Sequence, residues 1–178
     1  MFILNRLLQR TIPSAALLRK GLLCLCLLAN VAAKAQEPPP RPIVIYVNPT
    51  QGLIFGAFFQ GMSGGTVIIY PDGSRAVSGS IVAANLGYPF SPATFEVETN
   101  PGTLISIMNG PDVTLTGSSG GSLTLHIGAA STGSSFITTA IPPSRNIVRI
   151  GGTLTVGSPL ANPSGSYSGS FNVTFIQE

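Results

Sequence analysis

The sequence has no Trp, one His and two Cys in 178 residues, and only 8% of it is charged. A site built from several His or Cys ligands is therefore excluded by count. Disorder driven by high charge and low hydrophobicity is excluded as well, because 44% of the residues are apolar. The surplus of Ala, Glu, Lys, Leu and Arg that marks helical bundles and coiled coils is missing. Long apolar runs are scarce too. Gly21–Ala32 is the most apolar stretch, and it is shorter than the ~20 residues a membrane-spanning helix needs. Gly and Pro are abundant, at 21 and 15 residues. The length leaves room for one domain once a leader is removed, since domains commonly run to ~100–200 residues.

Residues 1–35 read as a signal peptide. Arg6, Arg10, Arg19 and Lys20 form a basic start, Gly21–Ala32 an apolar middle, and Ala33-Lys34-Ala35 a small-x-small cleavage pattern. Cys24 and Cys26 both lie in the apolar middle, so the mature chain is expected to lack cysteine and disulfides. Leu23 and Leu25 stand where lipidation would need small residues. Cleavage also inverts the charge. Arg41, Arg75, Arg145 and Arg149 remain against six carboxylates, which gives −2 with no Lys. That balance excludes the clustered basic surface of a nucleic-acid binder.

Residues 36–42 (QEPPPRP) read as an extended Pro-rich tether, and 43–178 as the folded domain. The domain is a series of short Val-, Ile-, Thr- and Phe-rich runs separated by Gly, Pro, Asn, Asp and Ser clusters, the pattern of an all-β sandwich or barrel. The runs predict strands at Ile43–Val47, Leu53–Phe59, Thr66–Tyr70, Ala76–Ala83, Thr94–Glu98, Leu104–Met108, Val113–Thr116, Leu123–Ile127, Ile147–Ile150, Thr153–Val156 and Ser166–Ile176. Almost no helix is expected in the mature chain, because no window has a 3.6-residue apolar period. Tyr70-Pro71-Asp72-Gly73-Ser74 predicts a hairpin turn, with Pro presetting φ and Gly taking a positive φ. In the last run, Tyr167, Gly169, Phe171, Val173 and Phe175 share one face and Ser, Asn and Thr the other, as in a strand buried on one side. Three Gly-Gly pairs, at 64–65, 120–121 and 151–152, each lead into an apolar run and predict turns that enter strands. The expected core is Ile45, Phe55, Phe58, Val67, Ile69, Val82, Phe95, Val97, Ile105, Leu115, Leu125, Ile150, Leu154, Phe171, Val173 and Phe175.

Little here predicts catalysis. Gly61-Met62-Ser63-Gly64-Gly65 matches the G-x-S-x-G elbow, and Asp72 or Asp112 and then His126 follow in hydrolase order. That elbow requires a strand–turn–helix in a parallel sheet, which this pattern does not offer, so a Gly-rich loop is expected instead. Glu96 and Glu98 share a strand face and suit a wet outer surface better than a glycosidase pair, which would need a sugar platform. Glu98 and Asp112 lack the Asp-rich loop of a calcium site. No catalytic residue, cofactor or metal is predicted.

Several segments occur in a recognisable order: Leu53–Phe58, Gly64–Val67 with Pro71–Arg75, Pro92–Val97, and Gly165–Thr174. Together they resemble the bacterial exported family catalogued as domain of unknown function 4402, over essentially the whole chain from Val47 onward. Its members are similar to fimbrial major subunits of the Mat/Ecp type. The resemblance implies an immunoglobulin-like antiparallel β-sandwich and assembly into surface fibres. Chaperone–usher pilins end in a comparable strand. Gly165 is fourteenth from the end and Phe171, Val173 and Phe175 alternate, although Gln177 stands where that pattern has an aromatic.

The expectation is thus a single-domain, non-enzymatic exported subunit at the bacterial periplasm, cell surface or exterior. It would assemble by strand exchange with its own kind or pass through a periplasmic chaperone. Ile43, Ile45 and Val47 are the candidate donor strand; Gly165, Tyr167, Phe171, Val173 and Phe175 are the candidate groove strand. The alternative is a monomeric secreted or periplasmic module that binds glycan or envelope material through Tyr88–Pro92 or Gly128–Phe136.

Overall fold

The computed structural model describes residue 39 and residues 41–178. The leader expected over residues 1–35, with Cys24 and Cys26, lies outside the described residues, as does most of the tether. Pro40–Glu178 forms one compact unit. Its strands are β1 (Val44–Val47), β2 (Phe58–Ile69), β3 (Arg75–Ala83), β4 (Ala93–Glu98), β5 (Leu104–Asn109), β6 (Val113–Gly117), β7 (Ser122–Ala130), β8 (Ser135–Ile137), β9 (Asn146–Val156), β10 (Tyr167–Ser168) and β11 (Val173–Gln177). The helical content of the described residues is one 3₁₀ turn at Pro49–Gln51.

All named strand pairs are antiparallel. The large sheet runs β1-β4-β9-β7-β6-β10, with a β2–β3 hairpin joined to β9; the small sheet runs β11-β5-β8. β9 is the hub. One side of it pairs with β7, and the other pairs first with β4 through residues 146–150 and then with β2 through residues 152–156. The apolar residues of the two sheets form one core. Strict alternation puts Phe95 and Val97 of β4, Leu123, Leu125 and Ile127 of β7, and Val148, Ile150, Leu154 and Val156 of β9 inside, with Ile105 and Ile107 of β5 in the same cluster. Partly buried Phe136, Val173 and Phe175 complete the small sheet's contribution. The fold is therefore the all-β antiparallel sandwich that the spacing of the runs predicts.

The Tyr70–Ser74 turn closes the β2–β3 hairpin as expected. Ser74 donates to Asp72 Oδ1 from its hydroxyl at 2.6 Å and from its backbone N–H at 2.8 Å. Those two bonds, the hydroxyl first, hold the exposed Asp72 carboxyl below its ordinary pKa. Gly73 sits at φ 90°, which a side chain would resist.

Several expectations need correction. The final run is two strands. Tyr167–Ser168 edges the large sheet beside β6, Gly169–Asn172 crosses over, and Val173–Gln177 joins β5 in the small sheet. Alternation survives the crossing because both sheets face the same core, so the pattern reads burial correctly and continuity wrongly. Conversely, the two runs at 147–150 and 153–156 are one strand. Gly151 and Gly152 are buried in mid-strand, where a Cβ on Gly151 would lie 2.2 Å from the Ile69 carbonyl oxygen. They mark the close approach of β2 to β9, not a turn. Val82 is 61% exposed and Ile81 is buried in its place, because Val67 pairs with Val77 and thereby turns the odd residues of β3 inward. Leu53–Ala57 in the expected second strand is a bridged segment (Ile54 to Ser91), and Gly128–Ala130 extends β7 instead of forming a loop.

Asn162 is a buried polar residue that ties three segments together. Its Oδ1 accepts from Gly157 N at 2.5 Å, and its Nδ2 donates to the Ser122 and Ala161 carbonyls. Asn162→Ala removes the partner of the part-buried Gly157 N–H and of the Ser122 carbonyl. It is expected to cost roughly 2–4 kcal/mol in urea unfolding; a loss below ~0.5 kcal/mol would show that water replaces the amide.

Candidate functional site

The N-terminal strand is the element on which the functional expectation turns. Asn48 ends it: its Oδ1 accepts from Thr50 N at 3.0 Å and Thr50 Oγ1 at 2.7 Å, which turns the chain into the 3₁₀ turn. Among the described residues β1 has one strand neighbour, β4, with Val44 opposite Glu98, Ile45 opposite Val97, Tyr46 opposite Glu96 and Val47 opposite Phe95. Its other edge carries no strand among the described residues. Ile43 and Ile45 are partly buried against the core, whereas Val47 on the same face is 61% exposed. Ile43 N donates to Gln177 Oε1 at 3.0 Å, a bond from the N-terminal segment to β11. Phe175 of the same strand packs its ring 5.4 Å from that of Phe95. β1 thus lies edge-on beside β4, with Ile45 next to Val97 and Val47 next to Phe95, and its N-terminal end is tied to β11 through Gln177.

The outer face of the same strand carries a charged cluster. Arg145 Nη1 donates to Glu96 Oε2 at 2.7 Å and its Nε donates to Glu98 Oε2 at 3.4 Å. The guanidinium lies 3.5 Å from the centroid of the Tyr46 ring. The Glu96 hydrogen bond, more than any other contact, raises the Arg145 pKa, so the cation persists at every working pH.

The structure brings together some of the predicted site residues and separates others. Ile43 bonds through its backbone N–H to Gln177 of the strand that carries Val173 and Phe175, and Ile45 and Phe171 are partly buried against the same core. Gly165 precedes β10 and Tyr167 lies on it, at the opposite edge of the large sheet from β1, so neither lies beside the first strand. Tyr167 instead donates from its hydroxyl to the Pro163 carbonyl at 2.6 Å. Sequence reasoning missed Tyr46, Arg145 and Gln177. A lone aromatic in an otherwise aliphatic run was the available signal for Tyr46. Nothing local pointed to Arg145, which reaches its carboxylates across 47 and 49 residues of chain.

The catalytic motifs resolve into structural features. Gly61–Gly64 is a bulge in β2: register passes from Gln60–Ile81 to Gly65–Gly79, so four residues oppose Ser80. It lies within a strand and not in the expected loop. Asp112 and His126 do meet, with His126 Nδ1 2.6 Å from Asp112 Oδ1, both exposed. Ser63, however, is far from them. Through Thr153 of β9, His126 aligns with Ile68, five residues beyond Ser63, a strand distance of roughly 15 Å. Glu96 and Glu98 are occupied by Arg145. Among the described residues no three His, Cys, Asp or Glu side chains cluster as metal ligands. No helix among them is long and apolar enough to cross a membrane. Of the alternative binding loops, Tyr88 is 67% exposed and Phe90 stacks on Arg75, 4.5 Å from the ring centroid. Thr132 and Phe136 of the other border an open groove of about 520 Å³ that also reaches Arg145.

No curated protein and no solved structure matches this chain. One family profile does, over residues 45–176, which covers β1 from Ile45 through β11 to Ile176. The match spans nearly every described strand, and by it the chain belongs to the family described as domain of unknown function DUF4402.

Proposed function

We propose that the protein is a non-enzymatic, exported structural subunit of fimbrial type, assembling by exchange of its N-terminal strand. One observation carries the reading: a four-residue strand at the sheet edge, the first of the described domain, belongs to a segment that places two isoleucines against the core. Everything it contacts could equally receive the same residues from another chain, because Asn48 turns the backbone away immediately after Val47. The Pro-rich stretch before it suits an extended arm. Resemblance to fimbrial subunits and the leader pattern support the same reading. Intramolecular docking competes with exchange at an effective concentration on the order of mM. Assembly therefore needs a growing end or a chaperone that keeps the chain's own strand out.

Light scattering behind size-exclusion chromatography tests this on the chain from residue 36, beside a chain starting at Asn48. The expected result is a concentration-dependent ladder from the first and its loss in the second. A single monomer peak from both, with equal melting temperatures, would reduce residues 36–47 to a tail and end the strand-exchange reading.

A further inference from the structure

We propose that Arg145, held by Glu96 and Glu98, is a recognition site for the aromatic side chain of the docked strand, and that it selects, in register, the N-terminal strand of a second copy of this chain. The inference rests on the strand-exchange reading and names the partner for the same seat beside β4.

The β1–β4 pairing itself is poor at setting register. The core-facing side of β1 carries Ile43, Ile45 and Val47, three aliphatic residues spaced by two, of which the first two pack against the core. A slip of two residues along β4 keeps every side chain on its face and puts Ile43 or Val47 in the place of Ile45, one aliphatic residue for another. The backbone ladder is equally indifferent to such a slip. On the outer face the residues are Val44, Tyr46 and then Asn48, so only one of them has a π face. Arg145 stands over that ring at 3.5 Å and reaches no strand backbone through the two bonds of its guanidinium, which go to Glu96 and Glu98. Those bonds hold the planar cation in place over the ring. A Lys ammonium offers no such plane. In a register slipped by two residues Val44 or Asn48 would lie under the cation, and the stacking would be lost. Tyr46 sits opposite Glu96 in the observed register, so one aromatic and one cation together define the seat.

The test uses the chain from residue 36, which has no cysteine, unfolded in urea and refolded with fluorescein-labelled peptide of sequence RPIVIYVN (residues 41–48) at several times the roughly mM effective concentration of its own strand. Its partners are the same peptide with Tyr46→Ala, and proteins carrying Arg145→Ala or Arg145→Lys. Retained label and its dissociation rate are read after gel filtration. A nitroxide on the peptide, paired with one on β4's neighbour Arg149→Cys, reads the register as a distance distribution. The expected result is retention of the native peptide and dissociation of the Tyr46→Ala peptide at least about twofold to fivefold faster. The Tyr46→Ala peptide should also broaden or split the distance distribution. Both differences should vanish in Arg145→Ala and shrink in Arg145→Lys. If native and Tyr46→Ala peptides are held equally and in one register, the recognition role of Arg145 is overturned while strand exchange stands. If no peptide is retained by any protein even at concentrations several times the roughly mM effective concentration of the chain's own strand, both fall together.

Discussion

Ile150→Ala is expected to remove about 3–5 kcal/mol of stability, at the upper end of the range for such truncations. Ile150 is fully buried at the centre of β9, opposite Ala93 of β4 and Ala130 of β7. Both flanking strands are hydrogen-bonded to β9, so the backbone cannot close over the gap left by the lost carbons. Its cross-strand partners are both alanines, which supply no side chain long enough to swing in. The cavity therefore persists, and the cost adds lost transfer energy to lost contacts. A domain of this kind has roughly 5–15 kcal/mol in total, so the variant should melt on the order of 10 °C lower. Ile150→Val, which removes one methyl, should lose only ~0.5–1.5 kcal/mol. Urea unfolding of the three proteins measures both steps; a loss under ~1 kcal/mol for the alanine variant would mean that the sheet relaxes around the site.

Gly64→Ala should be comparably damaging, for a backbone reason. Gly64 has φ +69°, where an L side chain costs roughly 1–2 kcal/mol. A Cβ there would also lie 2.3 Å from the Val156 carbonyl oxygen and 2.5 Å from that of Gly157. Neither obstacle can rotate away, since both are main chain at the end of β9. The bulge is also pinned from two sides: Ser80 Oγ donates to Gly64 O at 2.9 Å and Gln60 Nε2 donates to Gly157 O at 2.6 Å. Relief requires β2 to pull away from β9, which strains the ladder between Gly65–Ile69 and Gly152–Val156. Total loss of roughly 3 kcal/mol or more is expected. Hydrogen exchange should localise the damage, with faster exchange in that ladder than in the β6–β7 pair. Uniform exchange across both pairs with an unchanged melting temperature would refute the argument. Ser63→Ala, by contrast, alters an exposed residue of the same bulge and should be near neutral, although it is the nucleophile position of the motif match.

That contrast shows where reading from sequence succeeds and where it stops. The alternation in β4 and β7 was legible because a strand with one buried face has a period of two, and Phe95, Val97 and Leu125 sit where that period puts them. Val82 was misplaced by one position because its phase is set by Val67, on another strand. Gly61–Gly65 looks like a loop or an elbow in one dimension and is a bulge only in the presence of β3 and β9. The seating of the first strand was half legible. Ile43 and Ile45 announce themselves as an apolar alternation behind a Pro-rich stretch, and Val173 and Phe175 as the buried face of the last strand. Gly165 and Tyr167 belong to the same one-dimensional pattern, yet the chain changes sheets at Gly169–Asn172 and leaves them at the far edge.

By itself the amino-acid sequence determined the class of the fold, most of its strands, the face most of them bury, the turn at Pro71–Gly73 and the candidacy of the first strand. These follow from local physics, in which side-chain alternation, turn dihedrals and hydrophobicity act over a few residues. Tertiary structure alone decided which sheet each strand joins, the fusion of two runs into β9, and the meeting of Tyr46 with Arg145, 99 positions later in the chain. Those outcomes depend on pairings between distant segments. The energy of each pairing exists only after the core has brought the segments within a few ångströms of one another.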